Sequence, residues 1–204
     1  HNQITLQSNL SSPALERILF MDYAFSLPDA YTETDYYNLP EHTHAELIEG
    51  QFYNMSAPSR IHQEILSFLH VEIANYIRAG KGPCRVYPAP FAVKLFQDNK
   101  TIVEPDISVI CNPDKLTDKG CSGAPDWIIE IISPGNPEHD YIEKLSLYKR
   151  AGVREYWIAD PLSGKITVYC LEESRFQTDT HTFADTIRAG IFDDLQIDFQ
   201  SLEI

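Results

Sequence analysis

The chain has 204 residues, 43% of them apolar and 11% aromatic, which suffices for one domain with a substantial core. No run approaches the roughly 18 apolar residues of a membrane-spanning helix, and no basic segment followed by an apolar one marks a secretory leader. Thirty acidic against 16 basic residues give a net charge of −14, which excludes a broad basic face but leaves room for a short basic cleft or a bound cation.

In chain order, residues 1–30 lack sustained periodicity and read as an N-terminal extension, with a short helix over Ala14 to Phe25. Residues 31–204 read as a single domain. From Tyr31 to Pro40 the Thr/Asp/Tyr-rich stretch predicts a capped helical turn stopped at Pro40. Ala45 to Met55 predicts two short strands turning at Gly50. Ile61, Ile65, Leu66, Leu69, Ile73 and Ile77 recur at the spacing of one buried helical face, with an exit at Gly80 to Gly82. Arg85 to Leu95 and Thr101 to Ile110 read as two strands joined by a hairpin turn at Gln97 to Asn99. After a polar loop, Trp127 to Ile132 is a near-continuous apolar run suited to a central strand covered on both faces. Glu138 to Ala151 predicts a second helix ending at Gly152. Strands over Val153 to Ala159, Ile166 to Leu171 and Leu195 to Phe199 complete the pattern. The order implies an α/β fold with a mixed sheet and helices on its faces.

Cys84, Cys111, Cys121 and Cys170 form no CxxC pair and stand at no zinc-finger spacing. They read as reduced residues of a cytoplasmic protein, with disulfide pairing the lesser alternative. Phosphate-loop, dinucleotide, zinc-protease and serine-hydrolase motifs are all missing, which removes the usual support for those chemistries.

Two carboxylates lie inside strand-like runs, Asp106 in I-V-E-P-D-I-S-V-I and Glu130 in D-W-I-I-E-I-I-S. Burial there is costly unless each acid is paired or ligates a cation, and paired strand-end acids suit a hard divalent ion. The bland alternative is an acid that faces solvent or meets a basic side chain. Lys144 follows Asp140 by one helical turn, the spacing of an ordinary surface salt bridge. It is also the spacing of an ammonium directed at the acids, if that face packs on the sheet. His62 opens the first helix and suits a general base, a supporting donor or a purely structural role. Glu46 and Glu49 stand three apart in the strand-like run E-L-I-E-G, so at most one faces the site, the alternative being solvent exposure.

Taken together, A-E-L-I-E-G-Q, S-A-P-S-R-I-H-Q, E-P-D-I-S-V-I, G-A-P-D-W-I-I-E-I-I-S-P, D-Y-I-E-K-L-S-L-Y and G-V-R-E-Y-W-I-A-D-P resemble the restriction endonuclease-like bacterial family, long described as a domain of unknown function, within the PD-(D/E)XK nuclease superfamily. The resemblance spans about residues 31 to 200. It implies an α-β-β-β-α-β core with flanking helices, with Asp106, Glu130 and the carbonyl of Ile131 as ligands of Mg²⁺ or Mn²⁺. The superfamily lysine expected two residues after Glu130 is replaced by Ile132, and Lys144 matches the position to which the family moves it. Glu46 and His62 match further family positions. The implied activity is metal-dependent DNA hydrolysis. Cutting both strands of a duplex calls for two sites related by a two-fold axis, so a homodimer is the expected assembly. A non-catalytic binding protein and a metal-dependent hydrolase of a small phosphate ester stand as the alternatives.

Overall fold

The structure, a computed structural model, describes residues 30–80, 82–133 and 139–202. The short helix expected over Ala14 to Phe25 lies outside these residues.

Helix α1 (Glu33–Tyr37) starts from Thr32 in a reciprocal capping box with Asp35 and ends before Pro40. Strands β1 (Ala45–Ile48) and β2 (Gln51–Asn54) form a hairpin whose turn places Glu49 and Gly50 at positive φ. At Gly50 an added Cβ would lie 2.6 Å from that of Ala30, so the turn needs glycine for space as well as conformation. Helix α2 (Arg60–Gly80) buries Ile65, Leu69 and Ile73 completely, a face that contributes about 1.5–3 kcal/mol per side chain.

The long hairpin expected between Arg85 and Ile110 is present but broken on both arms. One arm gives β3 (Arg85–Pro88) and β4 (Val93–Lys94), the other β5 (Ile102–Val103) and β6 (Ile107–Ile110). Pro90 and Pro105 interrupt the ladder, since proline donates no backbone hydrogen bond. Register also slips by one residue between Arg85↔Ile110 and Val93↔Val103, a bulge-like offset that bends the hairpin into two sheets. The polar loop contains a hairpin that periodicity does not announce, β7 (Leu116–Thr117) and β8 (Gly120–Ser122). Strand β9 (Trp127–Ile131) is buried at every position. The second helix begins with a wide π turn at His139–Lys144 and continues as α3 (Leu145–Ala151), closing on Gly152 in the left-handed region. Then come β10 (Glu155–Asp160), β11 (Lys165–Cys170), β12 (Gln177–Thr182) and a small pair, β13 (Thr186–Arg188) with β14 (Gln196–Asp198).

The main sheet has the order β12-β11-β10-β9-β6-β3, with β9 and β10 parallel across α3 and the other neighbours antiparallel. A second sheet has the order β2-β1-β5-β4-β8-β7. The observed α2-β3-β6-β9-α3-β10 sequence is the α-β-β-β-α-β core implied by the resemblance. Odd-numbered residues of β9 (Trp127, Ile129, Ile131) pack with Ile107, Val109 and α2. On the opposite face Ile128 packs with Ile110, Leu147 and Tyr148, and beyond them with Ile48, Val93 and Val103 of the second sheet. The central strand is therefore covered on both faces, which is why its sequence is apolar almost throughout.

The cysteines require a correction. Cys84 and Cys111 flank β3 and β6 at opposed positions and are joined as a disulfide, while Cys121 and Cys170 are free. Wide sequence separation gave no hint of this, because the pairing follows from hairpin register.

Candidate functional site

Register places the two strand acids together. Ile107 pairs with Ile129, so one step along the same ladder sets Asp106 opposite Glu130, where side chains share a face. Each carboxylate accepts an amide from the other's strand. Glu130 Oε2 receives Asp106 N at 3.3 Å, and Asp106 Oδ2 receives Ile131 N at 2.7 Å. Both acids are buried, at 8% and 4% exposure.

Other elements converge on the pair. From the start of α2, His62 Nε2 lies 3.2 Å from Asp106 Oδ2, in a buried setting. From the second helix, the Lys144 ammonium lies 2.9 Å from Glu130 Oε1, 3.1 Å from Glu46 Oε2 and 3.4 Å from Asp140 Oδ1. Tyr148, one turn further, donates its hydroxyl to Glu130 Oε1 at 2.6 Å. Ile132 is buried in the apolar cluster beneath α3. From the second sheet, Glu46 accepts the Glu104 amide on Oε1 at 3.0 Å and faces Lys144 with Oε2. Glu49 takes the other direction: it is exposed and pairs with Arg150. The site therefore sits where the bent hairpin leaves the main sheet, between both sheets and the N-terminal turns of two helices.

Three participants escaped the sequence reading. Tyr148 completes an i, i+4, i+8 face with Asp140 and Lys144, a spacing that could have identified it. Glu104 stands two residues before Asp106 in an extended segment and is also buried, accepting a hydrogen bond from the Tyr36 hydroxyl. Alternation could have indicated it, but Pro105 obscures the pattern. His139 stacks on Tyr53 with centroids 4.9 Å apart and is held at Nδ1 by Glu143, and no sequence signal announces it.

Electrostatics follow from crowding. Glu46, Glu130 and Asp140 surround the Lys144 ammonium, and Asp106 and Glu104 are linked to Glu130 and Glu46 through their amides. Burial pushes Glu130 up to about 8 against the opposing pull of Lys144, with Asp106, Asp140 and Glu46 adding to the rise. For Lys144 burial acts downward, yet Glu130, Glu46 and Asp140 outweigh it and hold the amine well above its usual value. Burial, then Glu130, raises Tyr148, so its hydroxyl remains a donor. The cluster carries more negative charge than Lys144 can neutralise, and its donors are oxygens. That set fits a hard divalent cation. Among the described residues no three His, Cys, Asp or Glu side chains converge tightly enough to hold a metal alone. Two carboxylates supplemented by backbone carbonyl and water are the donor number that Mg²⁺ tolerates well.

Comparison with known proteins agrees with the fold. The family described as "Uma2: Putative restriction endonuclease" matches residues 33–200. A crystal structure from Anabaena variabilis ATCC 29413, described as "a putative nuclease belonging to DUF820", superimposes with a TM-score of 0.69 at 22% identity, covering 84% of this chain and 96% of that one. An uncharacterized protein of Synechocystis sp., slr1290, is 23% identical over 143 residues, 70% of this chain and 72% of that protein. Among the described residues no helix is long and apolar enough to cross a membrane. With the matched region spanning well over half its length and its core in the nuclease order, the chain belongs to the Uma2 restriction endonuclease-like family, and that membership supports a nuclease function.

Proposed function

We propose that the protein is a divalent-metal-dependent endonuclease that hydrolyses DNA phosphodiester bonds. Enzymes of the restriction endonuclease-like family generally use a divalent metal. The observation that carries the reading is the Lys144 ammonium seated 2.9 Å from Glu130 beside the opposed Asp106–Glu130 pair.

Asp106, Glu130 and the Ile131 carbonyl would hold Mg²⁺ or Mn²⁺, which when bound acidifies water and offsets charge on the phosphoryl group. Around it the chain positions the reactants. The Ile131 amide and His62 fix Asp106, while Tyr148 and Lys144 fix Glu130. Lys144 donates hydrogen bonds that orient the attacking water and stabilise charge growing on the phosphate. As the water oxygen bonds to phosphorus, the bond to the leaving sugar oxygen breaks. Glu46 keeps the ammonium in place from the second sheet. Two such sites in a two-fold homodimer would address both strands of a duplex.

A second reading, hydrolysis of a smaller phosphate ester, draws on the surface. Arg60, Lys94, Arg150 and Arg154 are each engaged by a carboxylate, and Glu49 and Glu143 are exposed near the site. One experiment separates the two. Plasmid, single-stranded DNA, RNA and bis(p-nitrophenyl) phosphate are incubated with Mg²⁺ or Mn²⁺, beside Glu130→Gln as control. Metal-dependent DNA cleavage abolished in Glu130→Gln supports the nuclease. Turnover of the small ester alone supports the second reading, and no turnover of any substrate overturns both.

A further inference from the structure

A second cluster of functional groups lies at the β3 edge of the main sheet, beneath α2 and away from the acids of the interior strands. Between α2 and the edge strand β3 is a cleft of about 460 Å³ lined by His70, Ala74, Ile77, Arg78, Arg85 and Val86. Ala74, Ile77 and Val86 give it an apolar floor, and His70 and the two arginines form its rim. In a chain with net charge −14, a lining that among the described residues holds two guanidiniums and no carboxylate is a marked local reversal of sign. Among the described residues neither arginine has a carboxylate at ion-pair distance, in contrast to Arg60, Arg150 and Arg154. Arg85 is also held in place. One of its terminal nitrogens donates to the Cys84 carbonyl at 2.8 Å and, at longer range, to those of Pro83 and Gly82, leaving the rest of the fork free.

The position relates the cleft to the acids. Helix α2 begins with His62 against Asp106 and runs toward Gly80. His70 is eight residues on, about 12 Å at 1.5 Å per residue. Strand β3 returns from Arg85 to Pro88, which pairs with Ile107, and the Ala89 amide binds the Asp106 carbonyl. Arg85 to Ala89 is four extended residues, about 13 Å. That separation is about two nucleotide steps of an extended single strand.

We propose that this cleft is a phosphate-binding groove for a polynucleotide strand: Arg85 holds a backbone phosphate about two nucleotides from the bond cleaved at Asp106 and Glu130, His70 contributes a further donor beside it, and Arg78, about 24 Å along α2 from His62, holds a phosphate further out. Guanidinium forks match phosphate oxygens in geometry and remain charged at any working pH. The apolar floor accommodates a sugar or the edge of a base. The proposal deepens the nuclease reading and rests on it, but its test does not depend on cleavage.

The test is fluorescence anisotropy of a short 5′-labelled single-stranded oligonucleotide with the full chain in EDTA, across a salt series. Arg78→Ala with Arg85→Ala should weaken binding roughly tenfold and flatten the salt slope by about 0.7 per lost phosphate contact. The paired control Lys165→Ala with Arg175→Ala, two exposed cations elsewhere, should change little. Arg85 also clamps its own loop, so Arg78→Ala and Arg85→Lys are measured singly. Arg78→Ala should weaken binding by itself with thermal unfolding unchanged. Equal losses in the cleft and control pairs would reduce the effect to net charge and overturn the proposal, as would unchanged binding in the cleft variants or no binding by the wild type. Inorganic phosphate at constant ionic strength should compete poorly, and strong competition would assign the cleft to small anions instead. If the wild type binds through the cleft but cleaves no nucleic acid, the nuclease reading fails while the groove stands.

Discussion

At Lys144 a single side chain balances three carboxylates, with Glu130, Glu46 and Asp140 all within 3.4 Å of its nitrogen. Removing one partner of a buried ionic group leaves the others uncompensated, at a cost of about 3–5 kcal/mol. Lys144→Ala should therefore unfold at lower urea concentration than wild type, and millimolar Mg²⁺ or Mn²⁺ should restore part of the loss. The added cation replaces the missing charge and binds the native state alone. Turnover should fall about 100-fold even with metal saturating, because charge on the phosphate loses its ammonium. Urea titration with and without metal, beside a cleavage time course, reads both effects. Unchanged stability would show that the carboxylates are already relieved some other way. Tyr148→Phe is the finer probe at this scale. It deletes one donor to Glu130 Oε1 while leaving Lys144, so it should cost about 1–2 kcal/mol and leave the fold intact.

The elements that sequence foretold are those whose periodicity was dictated by burial on one or both faces. Helix α2 shows its apolar stripe because one side meets the sheet, and β9 is apolar throughout because both sides are covered. Asp106 and Glu130 stood out because a carboxylate in such runs conflicts with its neighbours. The split of each hairpin arm between two sheets was not legible, since it depends on a register slip set by tertiary pairing. Strand β12, Q-T-D-T-H-T, is almost wholly exposed and so carries no alternation to detect. Glu155 was equally silent. It is buried at the start of β10, and its carboxylate accepts Trp157 Nε1 at 2.6 Å and the Ile191 amide at 2.7 Å, tying the β13–β14 loop to the main sheet. Burial raises its pKa despite these donors. A carboxyl with a raised folded-state value binds its proton more tightly when folded, so its contribution is full in acid. That contribution is lost as pH rises from the ordinary carboxylate value of about 4.3 toward the raised one. The stability of wild type relative to Glu155→Gln should accordingly decline through that window. Urea midpoints of both proteins at several pH values check the sign, and a rise would contradict it.

The whole molecule poses the question of how a chain of net charge −14 meets a polyanion. Several large apolar side chains remain exposed, among them Met55, Ile61, Val71 and Ile142, which leaves material for the two-fold contact proposed above. Light scattering at micromolar concentration should give twice the mass of the chain, and a monomeric mass would remove the duplex-cutting geometry. Dimerisation would double the charge to be approached by DNA, so long-range repulsion must be screened before local contacts form. Two salt effects then act in opposite directions. Adding monovalent salt from very low concentration screens the repulsion, because the Debye length falls from about 30 Å at 0.01 M to about 10 Å at 0.1 M. Adding more weakens the local phosphate contacts through counterion competition. A basic DNA-binding protein shows only the second effect, a monotonic fall. Here affinity for an oligonucleotide should pass through a maximum between those regimes, and divalent cations should move the maximum to lower ionic strength by neutralising the acids directly. Anisotropy titrations from about 0.01 to 0.5 M salt, with EDTA and with Mg²⁺, resolve the curve. A steep monotonic fall from the lowest salt would mean that the negative charge lies away from the DNA path, and that the local basic groove alone governs the encounter.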